Sequence, residues 1–379
     1  MILGVERIAK PATETPVPCA EHELTRPETV SPTPLPGFAA IERLADATGI
    51  MQHSRHSVPD PDHGYCLDDN ARALILMHRR SDLPDTIHDR WTAVFADFVA
   101  RAWNPERKRF RNFMSYEGDW LEEAGSEDSS GRAIWSLGVT AAEARSIGLR
   151  NWALDLFTQA AGPMLDVRSP RAMAFCMLGA TAVLRQDRAN RKAAEIVEAF
   201  GVRLGRLAAA HGRPGWTWFE PVLAYDNCRL PEALLRAGMV MGNEDFTALG
   251  LRTLDWIADK QTAAEGHFSS VGSTSFGREY SDPSPHDQQP LEAHGMVEAC
   301  EAAFAAARDP LWIDRAEKAH GWFLGANDGG IQLGDPESGE CYDGLTPTGP
   351  NLNRGAESVL AFQLSSCAIA RLRMQRTES

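Results

Sequence analysis

Connections between helical segments alternate in length and chemistry along this chain, and that alternation constrains the fold more than any other feature. From residue 38 onward, apolar residues recur at helical spacing, with no convincing run of period-two alternation. The periodicity predicts about twelve helices, near residues 37–53, 68–80, 85–102, 129–147, 151–165, 170–186, 190–208, 229–240, 244–261, 290–307, 310–326 and 354–373. Links such as RRSDLPD, SIGLRN, RQDRAN and AARDP are short. Most others, such as WNPERKRFRNFMSYEGDWLEEAGSED and HFSSVGSTSFGREYSDPSPHDQQP, are long and rich in Trp, Tyr, His, Asp and Pro. Helix composition alternates as well. Residues 71–77 (ARALILM), 171–184 (RAMAFCMLGATAVL) and 355–362 (GAESVLAF) are small and apolar nearly all round, whereas 192–207 and 312–323 carry Lys, Arg and Glu on one face. A helix without a polar face has to be covered on every side, and an amphipathic one covers it from outside.

The pattern therefore predicts an all-α fold over residues 37–379, an (α/α)6 toroid of inner and outer helices in six pairs. Its long loops gather at the N-terminal end of the inner helices. Residues 1–36 are rich in Pro, Thr and Glu without a periodic apolar face, and are expected to form a tail or strap. Six inner-helix starts can be laid side by side: LDDNARAL, SEDSSGRAIW, VRSPRAMAF, YDNCRLPEAL, HDQQPLEAHG and NLNRGAESVL. Their mean spacing of about 57 residues suits a helix pair plus a variable loop.

Most of these starts combine an acid or amide with an Arg or Glu one turn on. Helix capping explains a single Asp69, Asp128 or Asp287, because a carboxylate accepts hydrogen bonds from the free N–H groups of a first turn. It does not explain the doubled acids Asp68-Asp69 and Glu127-Asp128, or the rings beside them. Helix starts converging on one basin would also add their positive dipole ends there.

Composition limits the partners. A formal net charge of -14 and no basic run interleaved with aromatics argue against nucleic acid. No stretch is long and apolar enough for a membrane span, and the start lacks the order of a secretory signal. Seven cysteines without CxxC pairs suit a reducing, cytoplasmic setting. Cys176 and Cys300 read as core residues, and Cys66 and Cys228, although close to acidic motifs, as buried filler. The segment His53 to Arg72 concentrates histidines and aspartates in a loop stiffened by Pro59 and Pro61. With no HExxH and no regular His/Cys spacing, no metal or cofactor is expected there.

The run HSVPDPDHGYCLDDNARAL, with Asp287 to Ala293 and Asn351 to Ser358, resembles the six-hairpin toroid domains that accompany, or are fused to, bacterial family-4-type glycosyltransferases. By fold those domains belong with the six-hairpin glycosidase superfamily. The resemblance covers residues 40 to the end and implies carbohydrate chemistry, with a possible glycosyltransferase partner. It carries no residue assignment.

Glycoside hydrolysis needs one carboxylic acid to protonate the leaving oxygen and one carboxylate to activate water or attack the sugar. The candidate pair draws on Asp68 or Asp69 from one side and Asp128 or Asp226 from another, with Glu220 and Glu292 in reserve. Trp216, Trp218 and Tyr65 could stack on a pyranose. His56, His63, Asn70, Arg72, Arg132, Asn227, His286, Gln289 and His294 complete the expected substrate-binding set, although His294 could equally be a satisfied core histidine. The expected activity is hydrolysis of a bacterial oligosaccharide or polysaccharide. A sugar epimerase using histidines such as His53, His286 or His294, a polysaccharide lyase using Tyr280 or Arg278, and a non-catalytic glycan-binding protein are the alternatives.

Overall fold

The computed structural model describes residues 34–377. Twelve helices occur among them: α1 (Ala39–Leu44), α2 (Leu67–Met77), α3 (Asp85–Ala102), α4 (Glu127–Glu143), α5 (Ile147–Met164), α6 (Pro170–Gln186), α7 (Arg191–His211), α8 (Arg229–Met241), α9 (Glu244–Lys260), α10 (Pro290–Ala307), α11 (Leu311–Gly321) and α12 (Ala356–Thr377). Each even-numbered helix packs on the next, and α12 packs on α2 to close the ring. The odd-numbered helices lie outside, α3 on α2, α5 on α4, α7 on α6, α9 on α8, α11 on α10 and α1 on α12. The chain is an (α/α)6 toroid.

Burial follows the compositional alternation. From Pro290 to Phe304 every residue of α10 is buried, whereas α7 buries only the stripe Ala193, Ile196, Val197, Phe200, Gly201 and Leu204. Inner helices touch closely where side chains vanish. A Cβ on Gly138 of α4 would run into the backbone of Gly179 on α6, and one on Gly179 would meet the Ile134 carbonyl.

The first helix is much shorter than residues 37–53. Asp46 bends the chain after α1 by accepting from Thr48 N (2.7 Å) and Gly49 N (3.3 Å), and Ala45 then bridges to Ile50. A local side-chain turn competes there with helix. The eleventh helix likewise stops at Gly321 rather than near 326. The long loops also hold short antiparallel ladders too brief to show period-two alternation. These are β1 (Ser54–Arg55) with β2 (Val58–Pro59), β3 (Tyr65–Cys66) with β6 (Phe113–Met114), β4 (Trp103–Asn104) with β5 (Arg109–Phe110), and β7 (Gly344–Thr346) with β8 (Gly349–Asn351). Pairing of β3 with β6 ties the loop entering α2 to the loop entering α4.

Most of the segment expected as a tail or strap lies outside the described residues. Its last residues run beside the 335–339 turn, where Gly37 N donates to Pro336 O (2.9 Å). The six cysteines among the described residues are buried and free, Cys66 and Cys228 included. No helix among the described residues is long and apolar enough to cross a membrane.

Candidate functional site

Of the doubled acids at the inner-helix starts, Glu127 accepts from Arg168 N and Ser169 N (both 2.7 Å) at the entry to α6, and the other three are released from capping. Asn112, in the loop before α4, caps α2 from outside, its Oδ1 accepting from Leu67 N (3.1 Å) and Asp68 N (3.4 Å). Ser126 caps α4 by accepting from Ser129 N (3.0 Å), and Ser169 caps α6. Asp68, Asp69 and Asp128 are thus free to face a cavity of about 440 Å³ at this end of the ring. Arg72, Arg132, Tyr225, Gln289, Asp343 and Glu357 share its wall, with His53 at the edge.

Two buried arginines organise the acids. Arg132 Nε donates to Asp68 Oδ1 (3.0 Å), and the same guanidinium reaches Asp226 Oδ2 (3.4 Å). Arg72 bridges Asp69 (2.8 Å) and Glu357 (2.7 Å). Burial pushes the Asp69 carboxyl up to about 6 against the pull of Arg72. Asp69 is nonetheless committed on both oxygens, since the Cys66 thiol donates to the second at 3.0 Å. Asp128 accepts the hydroxyls of Ser169 and Tyr225. Burial, helped by Asp128, raises the Tyr225 phenol, so it remains a donor.

Asp343 differs from the others. Burial raises its carboxyl above the ordinary value, outweighing the hydrogen bond from Gly355 N (2.7 Å). No guanidinium among the described residues pairs with it. Beside it, His53 stacks edge-on against His63 with ring centroids 4.7 Å apart. Partial desolvation and that neighbour lower His53 from its ordinary value.

Several residues expected at the site lie elsewhere. Asp226 is 1% exposed, and although burial would raise it, Arg229 and Arg132 hold it below the usual carboxylate range. Glu292 is also 1% exposed and accepts from Asp226 N and Asn227 N, fixing the loop before α8; burial and Asp226 push it up to about 8. Asn227 closes that same loop through Ala224. Glu220 is held by Arg171. Trp216 and Trp218 pack against Trp256, and Trp216 also against Tyr280, so their rings bind the loops to the rim.

Tyr65 is buried with its hydroxyl on Asp46 (2.6 Å). Asn70 pins the preceding loop through both the N–H and the carbonyl of Ile50. His294 lies inside the ring between Arg229 (3.0 Å) and Glu298 (3.1 Å), as a satisfied core histidine would. His56 and His63 are exposed beside the β1–β2 ladder, and the His286 carbonyl binds Thr274 in the 262–289 loop. Of the expected set, Asp68, Asp69, Asp128, Arg72, Arg132 and Gln289 are brought together.

Asp343 and Glu357 were not among the expected site residues. Glu357 occupies the acid position one turn into NLNRGAESVL, so its signal was present in the aligned helix starts. Asp343 sits in a loop with no such register. Among the described residues, no group of His, Cys, Asp and Glu has the arrangement of a metal site.

No protein-family model matches the chain, and no curated protein matches it. Solved structures do. A sugar epimerase from a ruminal bacterium is 13% identical with a TM-score of 0.67, covering 88% of this chain and 95% of its own. Cellobiose 2-epimerase from Spirochaeta thermophila is 12% identical with a TM-score of 0.68, covering 90% and 94%. A GH76 α-mannanase from Bacteroides thetaiotaomicron is 10% identical with a TM-score of 0.64, covering 89% and 95%. What this chain shares with these sugar epimerases and glycoside hydrolases is the (α/α)6 toroid fold.

Proposed function

We propose that this chain is a carbohydrate-active enzyme that hydrolyses a glycosidic bond in a neutral bacterial oligosaccharide or polysaccharide. One observation carries the reading. Within a single cavity, burial favours the protonated form of Asp343, while Arg132 gives Asp68 a cationic partner and leaves its other oxygen without a hydrogen bond. Two carboxyl groups placed in opposed environments suit an acid and a base. Asp343 would protonate the leaving oxygen as its bond to the anomeric carbon breaks. Asp68 would take a proton from the water that adds there, or attack that carbon directly before water releases the sugar. Tyr225, Gln289 and Asn351 would meet sugar hydroxyls.

The same geometry disfavours an anionic uronate. Arg72 and Arg132 are already committed to carboxylates, so neither is a free cation that would neutralise one. The sequence resemblance supports a bacterial glycan as substrate and association with a glycosyltransferase, and the cysteine usage a cytoplasmic location, as parts of this proposal. Epimerisation of a reducing sugar is a second reading, favoured by His53, a base in the same wall.

Mass spectrometry of products from a panel of bacterial glycans tests the proposal. Hydrolysis adds one water per bond, and Asp343→Asn or Asp68→Asn, folded by circular dichroism, should lose it. A mass-neutral change in retention time that requires His53 replaces the hydrolase with the epimerase. Binding without turnover replaces both with a glycan-binding protein.

A further inference from the structure

Across the ring from the candidate site, the C-terminal halves of all six inner helices, or the residues just beyond them, surround a second cavity of about 470 Å³. Five guanidinium groups line it, from Arg79, Arg185, Arg188, Arg236 and Arg371. Four carboxylates oppose them, from Glu143, Glu232, Glu298 and Glu301. In a chain of formal net charge -14, this is a local reversal of sign.

Arginines near helix C-termini have an ordinary explanation, since free carbonyls and the negative dipole end attract cations. The hydrogen bonds here run otherwise. Arg371 holds Glu301 through two nitrogens (2.7 and 3.0 Å), and Arg236 holds Glu232 (2.7 Å). Glu232 and Glu298 are in turn shared with Arg229, buried below the cavity floor at 2.7 and 2.5 Å. Carboxylate capacity is therefore consumed from beneath, and the rim is left short of it. Among the described residues Arg185 reaches only Glu143, at 3.4 Å, and that carboxylate already pairs with Arg79. The Arg79 Nε is buried without a hydrogen-bond partner, and Arg188 is exposed at the rim with no ion pair among the described residues. Burial first, then crowding by Arg371, lowers Arg79 to about 10.

An oxyanion would relieve that crowding, because a guanidinium fork matches the geometry of phosphate oxygens. Trp135, Met239 and Val240 add an apolar wall on the same cavity. We infer that this second mouth of the toroid binds a small phosphate-bearing molecule, its oxyanion held by Arg79, Arg185 and Arg188 and its remaining portion against Trp135. The site is separate from the sugar cavity and does not depend on what that cavity does.

The test is a thermal-shift titration with inorganic phosphate against chloride at matched ionic strength, because a ligand of the folded state alone raises its midpoint as its concentration rises. Phosphate should raise the midpoint of the native chain and of Asp68→Asn alike. The exposed pair Arg185→Gln with Arg188→Gln should weaken the response at least about tenfold in apparent affinity. No phosphate-specific shift, or an undiminished one in the arginine pair, overturns the inference.

Discussion

Asp343 and Asn70 reverse what their sequence settings suggest. Asp343 follows a short Cys-Tyr pair in an unpatterned loop, yet it is the carboxyl in the cavity wall that burial raises without an arginine to oppose it. Because its folded value lies above the ordinary one, its acid form persists to higher pH, and glycan hydrolysis should fall on the alkaline side as that proton leaves. A profile of kcat/KM against pH checks this. Asp343→Asn should lower kcat/KM by roughly a hundredfold to ten-thousandfold, the range typical of a lost general acid, and abolish the alkaline limb. Asn70 stands inside the acidic motif and reads as a hydroxyl binder. Its side chain instead takes Ile50 N (2.9 Å) and gives to Cys66 O (2.8 Å). Asn70→Ala should therefore cost about 1–3 kcal/mol in denaturant unfolding, the penalty for leaving buried backbone groups unpaired. A primary loss of sugar affinity with unchanged stability would contradict that role.

Among elements, the inner helices do two jobs with different residues. Their starts present acids to the cavity because capping is done by Asn112, from the loop before α4, and by the helices' own N-cap serines Ser126 and Ser169. Sequence alone could not separate cap from cavity-facing acid at Asp69, since the competing cap for α2 comes from 45 residues away. Their middles pack backbone to backbone. Gly179→Ala would place a methyl against the Ile134 carbonyl of α4. The expected cost is about 1–3 kcal/mol of overpacking strain, seen as a lower unfolding midpoint. An alanine at the half-buried Gly205 of α7, where a Cβ meets nothing, should not destabilise the chain. The aromatic pair Trp216 and Trp218 belongs at this scale too, because Trp256 of α9 claims both rings and no sequence spacing announces it.

For the whole molecule, titration of the interior sets how the ring responds to acid. His78, on Thr140 at 3.0 Å, is lowered to about 3, and His320, on Ser365 at 3.2 Å, to about 4, both chiefly by burial. Each remains neutral in the fold where the unfolded chain, at 6.5, already binds a proton. Stability is therefore complete above that value and declines as pH falls below it, toward about 4 and then about 3. Denaturant midpoints measured from neutral pH to pH 4 should show this slope, and the pair His78→Gln with His320→Gln should flatten it.

Helix count, the inner and outer classes and the end of the ring where the long loops gather were all legible in the sequence. They follow from periodicity and composition, which act over a few turns of one segment. Tertiary structure alone decided which acids face the cavity, because that depends on partners brought from other hairpins: Arg132 for Asp68, Tyr225 for Asp128, and Arg229 for the buried Asp226. Local pattern placed these residues at helix starts, and only the closed ring determined which kept an oxygen free in the cavity.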